Sequence, residues 1–594
     1  MDIAVIVTAL AVVLMALQSL PLDQSIPGGT DTYSHLFRAW YATEYNLPQW
    51  NFFWWGGTTF LRYYSPLTYR ISAVIGGLVG WLFAYKLLVD VFFVSLPVAF
   101  YFLSKDYLPD VKQRAVAVLV FSLSPIYLYA FFDGRYPTLM SLLFCMVYWI
   151  FLKKCLDEGS PHWLLLSSLA LGLAIPLHLL ISGYTVIVTV FWAFLHSARI
   201  KTVRTLALIL LFALLFSAWF LIPVFIETGG FSDEGTSPSN LFEAKDVIGT
   251  GAFVLSMPFF WITQFSSFAF SPWIVFLGTM LLLAISFLTV MKPNRTVREF
   301  LLVLILMLAI AMVSWRRILL LAPIPLAVLS AYGMFLVKNP KFRAVLIVVV
   351  MLFVFGSFAS LSRTHLEAAA PNLPYDGRVL FIPNEPHQSL FLSPMKGNEN
   401  IEGWWTIGEV SAKRYAYFPL LFNFSSNGNE YYRILNAGWV NYVAVRDDRA
   451  DELSYFKGSD RFRAINNSEG YAIFELSPKS TYLELDGNPV PCERITGRDS
   501  VSVDFNCSPG TLTIKESRHQ FWNVSINGRV IAYRPSEYDF MEADIDESGD
   551  CRLEMSFSEP PYYAAFKALC IIPIVWFGFR RMRAKAGESE RRLP

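Results

Sequence analysis

The sequence predicts a polytopic α-helical membrane protein with a β-rich, sandwich-like domain outside the bilayer, and three observations lead there. Of 594 residues, 55% are hydrophobic and only 16% charged, where soluble domains carry about 25% charged residues. Apolar runs of about 20 residues, the length that crosses a hydrocarbon core, recur along the chain. One long segment, 362–562, breaks that pattern with polar, Asn-, Gly- and Pro-rich sequence.

Taken in order, the runs give about twelve spans, near 3–20, 81–104, 114–131, 137–153, 162–177, 181–197, 205–226, 273–291, 299–315, 318–337, 344–361 and 563–579. The first run has no basic flank and no small-residue cleavage site, so it reads as an uncleaved span and not a signal peptide. The stretch "PLTYRISAVIGGLVG" (66–80) is short and Gly-rich and reads as a helix lying at the interface. Charge supports the division. With a cytoplasmic N-terminus, the inner loops hold Lys105, Lys112 and Arg114, then Lys153 and Lys154, Arg199, Lys201 and Arg204, Lys292, Arg295 and Arg298, and Lys338, Lys341 and Arg343. The tail "RRMRAKAGESERR" is basic as well, so the positive-inside pattern holds at each turn. Both termini are therefore expected in the cytoplasm of a multi-pass plasma-membrane protein. The opening loop 21–65, the loop 227–272 and the segment 362–562 are expected outside. No stretch combines basic and aromatic residues as a nucleic-acid groove would.

The chain thus divides into a membrane part (1–361), an extracytoplasmic domain (362–562) and a final span with a cytoplasmic tail (563–594). In the outer domain, runs such as "NYVAVRD", "YAIFEL", "VSVDF" and "TLTIKE" alternate as half-buried strands do, with turn signals "LDGN" and "INGR" between them. Cys145, Cys155 and Cys570 lie in or beside spans and read as apolar fillers. Cys492, Cys507 and Cys551 lie where disulfides form. Cys492–Cys507 is the preferred pair, although sequence does not choose among three. Sequons at Asn423, Asn466, Asn506 and Asn523 all fall in the same segment.

Two places carry ionisable residues against the membrane pattern. The opening loop, "PLDQSIPGGTDTYSHLFRAWYATEYNLPQWNFFWWGGTTFLRYYSPLTY", sets Asp31, His35, Arg38 and Arg62 among Trp and Tyr. In "SWRRILLLAPIPL", Arg316 and Arg317 open a span on the outer side. The turn "FFDGRYPT", with Asp133 and Arg135, is a weaker third case that reads first as a structural ion pair. Each has a plain structural alternative. Interfacial aromatics anchor belts, arginines snorkel to headgroups, and Asp31 stands where it would cap the helix "TYSHLFRAWYATEY".

Together, however, these residue types suit transfer of a sugar from a lipid phosphate. A carboxylate is needed to take the proton of an incoming hydroxyl, and cations at membrane depth to hold the departing phosphate. Aromatic and hydroxyl groups are needed to stack on the sugar. On this reading Asp31 is the base and His35 orients it or touches the sugar, one helical turn away. Arg316, Arg317 and Arg62 hold the donor phosphate. Trp50, Trp54, Trp55 and Tyr64 of the loop, with Trp404 of "EGWWTIGEV", line the sugar and acceptor site, and His387 is a further candidate.

The stretch "GGTDTYSHLFRAWY…LPQWNFFWWGGTTFLRYYSPLTY" resembles the first outer loop of GT-C membrane glycosyltransferases. It resembles most the membrane proteins grouped as 6-pyruvoyl-tetrahydropterin synthase-related, and YfhO-like proteins. The "DGRYP" turn, the "RR" opening before "PIPLAVLSAYG", and "HQFWNVSINGRVI" near the end of the outer domain carry the likeness through most of the chain. The resemblance implies an acidic base or metal ligand in the first outer loop, matching Asp31, and phosphate-holding basic residues, matching Arg316 and Arg317. There are departures. Many such proteins carry a carboxylate pair where this loop has Asp31 alone, with Asp23 eight residues earlier. A lone carboxylate fits a monophosphate donor and argues against an obligatory metal, while leaving a divalent cation open. Glu227, Asp233 and Glu234 are reserve acids that read first as a solvated loop. "EGWWTIGEV" shares a Trp pair with the WWDYG motif of oligosaccharyltransferases but lacks the Asp-Tyr-Gly. Pterin chemistry itself is excluded, because the seven histidines are scattered without metal-ligand spacing.

The expectation is an inverting GT-C-type glycosyltransferase that takes sugar from a polyprenyl-phosphate donor to an extracytoplasmic glycan or glycolipid. The rival readings are a non-enzymatic lipid-linked glycan carrier or flippase, or an assembly scaffold. A transporter should show paired repeats and midplane charges, which the sequence lacks. An oligosaccharyltransferase is a third reading, disfavoured by the missing motif.

Overall fold

The structure, a computed structural model, describes residues 3–17, 19–25, 29, 31–54, 56–62, 64–196, 200–227, 282, 285, 286, 289, 294–312, 316–360, 371, 373, 376–382, 391–401 and 428–590. Trp55, Trp404, His387, Asp233, Glu234 and most of the expected span 273–291 lie outside them.

The membrane part is a helical bundle: α1 (Ile3–Leu17), α2 (Thr32–Glu44), α3 (Pro66–Val79), α4 (Trp81–Lys105), α5 (Val111–Ser122), α6 (Pro125–Phe132), α7 (Tyr136–Glu158), α8 (Pro161–Leu177), α9 (Leu179–His196), α10 (Ile200–Glu227), α11 (Arg295–Met312), α12 (Pro323–Leu336) and α13 (Pro340–Ser360). Among the described residues, six helices are long and apolar enough to cross a membrane. The others at expected spans are shorter or flanked by undescribed residues. Local chemistry sets the ends. Asp110 caps α5 by accepting the Lys112 amide at 2.8 Å, and Ser160 does the same for α8 ahead of Pro161. The expected span 114–131 is two helices, because Ser124 precedes Pro125 and a residue before proline leaves the α region. The 14-residue α3 is too short to cross, as expected of an interfacial helix.

Helices α4, α7, α8 and α10 pack in sequence through the bundle, with α1 and α5 against α4. Gly172 lets α8 meet α10 closely, for a Cβ there would stand 2.6 Å from the Cβ of Phe216. The opening loop pairs β1 (Trp50–Asn51) with β2 (Thr58–Thr59), and two buried polar residues of α4 tie down its start. Lys86 Nζ donates to the Asp23 carbonyl at 2.9 Å and to that of Ser25, and Asp90 accepts the Leu20 amide at 2.8 Å.

The outer segment departs from the expected single β-sandwich. Its first part is α/β. A four-stranded sheet of β3 (Arg378–Ile382), β4 (Val440–Arg446), β6 (Tyr471–Leu476) and β5 (Phe462–Ser468), in that order, pairs β3 with β4 in parallel. Such a pair needs a long crossover, and α14 (Gly428–Ala437) lies within it, while α15 (Ala450–Gly458) follows β4. The sandwich is confined to residues 483–557. One sheet there runs β13 (Arg529–Val530), β12 (Trp522–Ile526), β16 (Gly549–Phe557), β10 (Ser500–Cys507), β9 (Cys492–Thr496). The other runs β14 (Arg534–Pro535), β15 (Phe540–Ile545), β11 (Gly510–Ser517), β7 (Leu483–Leu485), β8 (Asn488–Val490). Strand β16 alternates strictly, its odd positions Cys551, Leu553, Met555 and Phe557 pointing into the core.

The disulfide is Cys507–Cys551, Cα–Cα 5.8 Å, and Cys492 is free, which corrects the expected pairing. The ladder between β9 and β10 ends at Cys492 opposite Phe505, before Cys507. The ladder to β16 continues to Cys507 opposite Gly549 and so brings Cys551 alongside. The chain returns to the bundle through α16 (Tyr563–Ala568) and α17 (Ile571–Glu590), which pack on α10 and α8.

Candidate active site

Asp31 sits where two turns meet. Its amide donates to the Asp133 carbonyl at 3.0 Å, so the start of α2 rests on the "DGRYP" turn between α6 and α7. Glycine makes this approach possible. Gly29 and Gly134 have φ of +126° and +88°, and a Cβ on either would overlap the facing turn, at the Phe132 carbonyl and at Thr32 respectively. Thr32 Oγ1 and the Tyr136 hydroxyl, 3.3 Å apart, join the same two turns. Asp133 accepts from Arg135 Nε at 2.7 Å, the pairing expected of that turn.

The capping reading of Asp31 does not hold. Asp31 occupies the N-cap position but with αR angles (φ −80°, ψ −16°), and its side chain makes no cap hydrogen bond. A capping side chain needs the extended conformation to reach back to the N2 or N3 amide. The carboxylate is thus placed at the head of α2 without capping it.

One turn along α2, His35 is 1% exposed. Its Nδ1 is hydrogen-bonded to the Tyr69 hydroxyl of α3, and its ring stacks on Tyr64 at 5.8 Å and 12°. His35 Nε2 is buried with no partner among the described residues. Burial, reinforced by Arg38 and His178, holds this imidazole well below its usual range, so it is neutral. Arg38, 2% exposed, lies 4.9 Å from the Trp54 ring and 5.4 Å from that of Tyr64. Tyr64 stands edge-on to His178 at 5.8 Å. Its position is fixed by Ser65, whose hydroxyl donates to the Leu177 carbonyl at 2.6 Å. Tyr136, 6.2 Å from His35, closes the ring of aromatics, with Tyr85 behind it.

The expected site residues therefore separate. Asp31, His35 and Tyr64 share one cluster. Trp54 belongs to its wall, stacked on Phe37 at 4.1 Å and 1% exposed, with no face open to a sugar. Trp50 lies elsewhere, 1% exposed in the core of the sandwich, 5.0 Å from Trp522 and 4.8 Å from Phe557. Burial removes both tryptophans from the sugar-binding role expected of them. Arg62 pairs with Glu559 and lies 5.1 Å from the Tyr563 ring. Arg316 and Arg317 open a 3-10 helix (Arg316–Leu321), and their side chains lie outside the described residues. Sequence reasoning passed over Tyr69, Tyr136 and His178, and left Arg38 without a role. The break of α8 at Pro176–His178 was the local signal for His178, but nothing in sequence pointed from it to Asp31.

No three His, Cys, Asp or Glu side chains among the described residues gather as a metal-binding group, and the chemistry below is derived without a bound cation.

The helical bundle with this site at its β-domain end, followed by the β-rich domain, is a GT-C fold. The structure aligns with that of arabinofuranosyltransferase AftD from Mycobacteria at a TM-score of 0.54 and 12% identity, over 94% of this chain and 57% of that one. The R1389S mutant of AftD in its class 2 structure aligns at 0.53 and 12% identity, over 93% of this chain and 60% of that one. The chain thus spans somewhat over half the length of these proteins. No curated protein matches by sequence. Residues 61–359 match the model of the 6-pyruvoyl-tetrahydropterin synthase related domain, a membrane protein family. The chain belongs to that family.

Proposed function

We propose that this protein is an integral-membrane glycosyltransferase that moves a sugar from a polyprenyl-phosphate donor to a glycan or glycolipid on the side of the β-rich domain, which faces away from the cytoplasm. The observation that carries the reading is the state of the α2 head. Asp31 is held rigidly by two docked turns yet does not cap its helix, and His35 beside it keeps an unpaired buried nitrogen. A fixed, buried nitrogen with unspent hydrogen-bonding capacity, as at His35 Nε2, is what an absent polar substrate would satisfy. The likeness of the fold to AftD, an arabinofuranosyltransferase, supports the reaction class.

In this mechanism Asp31 takes the proton of the acceptor hydroxyl as that oxygen attacks the anomeric carbon. The bond from that carbon to the phosphate oxygen breaks on the opposite face through an oxocarbenium-like state, so configuration inverts. Arg316 and Arg317 receive the phosphate, whose negative charge grows as it leaves. Neutral His35, its ring held by Tyr69, offers Nε2 to a sugar hydroxyl or to Asp31, and the rings of Tyr64 and Tyr136 give the sugar an apolar surface.

The test is transfer by purified protein in nanodiscs, with a panel of radiolabelled polyprenyl-phosphate sugars and a membrane glycolipid extract, with and without EDTA. Label should move to the lipid extract, equally in both lanes. Tight donor binding with no transfer to any acceptor would replace the transferase with the carrier reading.

A further inference from the structure

A second polar pocket lies on the flank of the bundle. It is a shallow cleft of about 20 Å³, open at the surface and lined by Arg62, Arg70, Lys567, Trp219, Tyr563 and Glu559 among others. Four parts of the chain build it: the end of the opening loop, α3, the last third of α10, and the strand-to-helix passage into α16. Two of them, α10 and the passage into α16, belong to helices long and apolar enough to cross a membrane, and their ends nearest the β-rich domain are at the level of lipid headgroups.

Its charges do not cancel. Three cations face one carboxylate, and Glu559 is engaged by Arg62. Arg70 and Lys567 are exposed and make no salt bridge within 4.0 Å among the described residues, although Glu559 also attracts Arg70. The guanidinium groups are nevertheless positioned, Arg70 at 5.3 Å from the Trp219 ring and Arg62 at 5.1 Å from that of Tyr563. A ring face fixes the plane of a guanidinium and leaves its N–H edge available. On the topology read from the sequence this is the outer side, where basic residues are sparse, so three together call for an anion. Beyond the pocket, towards the middle of the membrane, apolar side chains stay exposed on both flanking helices, Leu214 and Leu211 on α10 and Ile571 and Ile574 on α17.

We infer that this pocket binds the phosphate group of a membrane lipid, with Arg70 and Lys567 supplying the charge and the lipid chains lying along α10 and α17. Arginine pairs with phosphate oxygens in a fork, lysine as a point charge. The lipid bridges the bundle and the return segment of the outer domain, at a place separate from Asp31 and with or without sugar transfer. Two sources offer this chemistry, an anionic bilayer phospholipid and a polyprenyl phosphate.

Native mass spectrometry of the full-length protein, titrated separately with phosphatidylglycerol, undecaprenyl phosphate and phosphate-free digalactosyl diacylglycerol, tests the assignment. The Arg70→Gln/Lys567→Gln double variant should weaken binding of whichever phosphate lipid is held by about thirtyfold and leave the galactolipid unchanged. Arg70→Lys/Lys567→Arg should retain most of the affinity, which separates charge from folding. Stronger binding of phosphatidylglycerol identifies a bilayer lipid, and stronger binding of undecaprenyl phosphate a prenyl one. Equal binding of the galactolipid, or phosphate-lipid affinity unchanged in the double variant, would overturn the inference.

Discussion

The two halves of the opening loop are both rich in aromatic residues and have opposite roles. Residues 31–45 lie on the bundle and keep the buried Nε2 of His35 without a partner among the described residues, beside an acid that does not cap its helix. Residues 47–62 carry as many aromatics, but their polar groups are taken up by the outer domain. Asp499 accepts the amides of Gln49 and Trp50 at 2.6 and 2.9 Å. Trp50 Nε1 donates to Glu516 at 3.0 Å, and the Ser517 amide donates to the Gly56 carbonyl at 3.0 Å. Glu516 in turn lies within 3.5 Å of Arg378 and 3.4 Å of Arg494, in a buried charge group shared with Glu399. The second half is a clamp between two domains. An aromatic-rich stretch thus marks a site only where its hydrogen bonds are left open, and counting rings cannot show that.

Breaking the clamp should have the largest effect on stability. Trp50→Ala removes a fully buried indole and one of the hydrogen bonds to Glu516, and should cost about 3–5 kcal/mol, read as a lower Tm and as new proteolytic cutting between the bundle and the outer domain. The cradle of Asp31 comes next. Gly134→Ala must hold φ +88° and displace Thr32, at about 2–3 kcal/mol, and transfer should fall further than Tm because the Asp31 turn moves. Acidity sharpens the contrast from the clamp's side. Burial raises Glu516 to about 7 from 4.5 against the pull of Arg378 and Arg494. The folded protein therefore holds a proton that the unfolded chain releases. The resulting stability is present below about pH 4.5 and is lost as pH rises through about 7. Replacing this acid with Gln should flatten that part of the Tm profile, a change on the order of 2 kcal/mol. Smallest is Tyr69→Phe, which takes the hydroxyl from His35 at about 1 kcal/mol. It should slow transfer several-fold with Tm nearly unchanged.

Much of the membrane part was legible because hydrocarbon imposes long apolar helices and the loops carry their charge openly. The position of Asp31 at the head of α2 was legible because an acid before a helix beside a span stands out locally. What was not legible depends on partners far along the chain. Trp50 meets Asp499 and Glu516 more than four hundred residues later, and no pattern inside "LPQWNFFWW" distinguishes that fate from a sugar platform. The "DGRYP" turn read as an isolated ion pair, and only its docking through Gly29 and Gly134 shows why those glycines are there. The parallel β3–β4 pair was hidden in the same way. Alternating runs announce strands, whereas parallel pairing across a long connection leaves no local mark. Cys551 was passed over because β16 returns to β10 from the far side of the sandwich.

The comparison comes down to one paired experiment: Asp31→Asn and Trp50→Ala prepared alongside wild type, each measured for sugar transfer and for Tm in the same nanodiscs. The account predicts that Asp31→Asn keeps the wild-type Tm within about 1 kcal/mol and loses about a hundredfold to ten-thousandfold in transfer rate. Trp50→Ala should do the reverse, with a lowered Tm and substantial transfer by whatever fraction stays folded. If Asp31→Asn transferred sugar at the wild-type rate, or lost activity only in proportion to lost folding, Asp31 would be a structural residue and the assignment of chemistry to this half of the loop would be wrong.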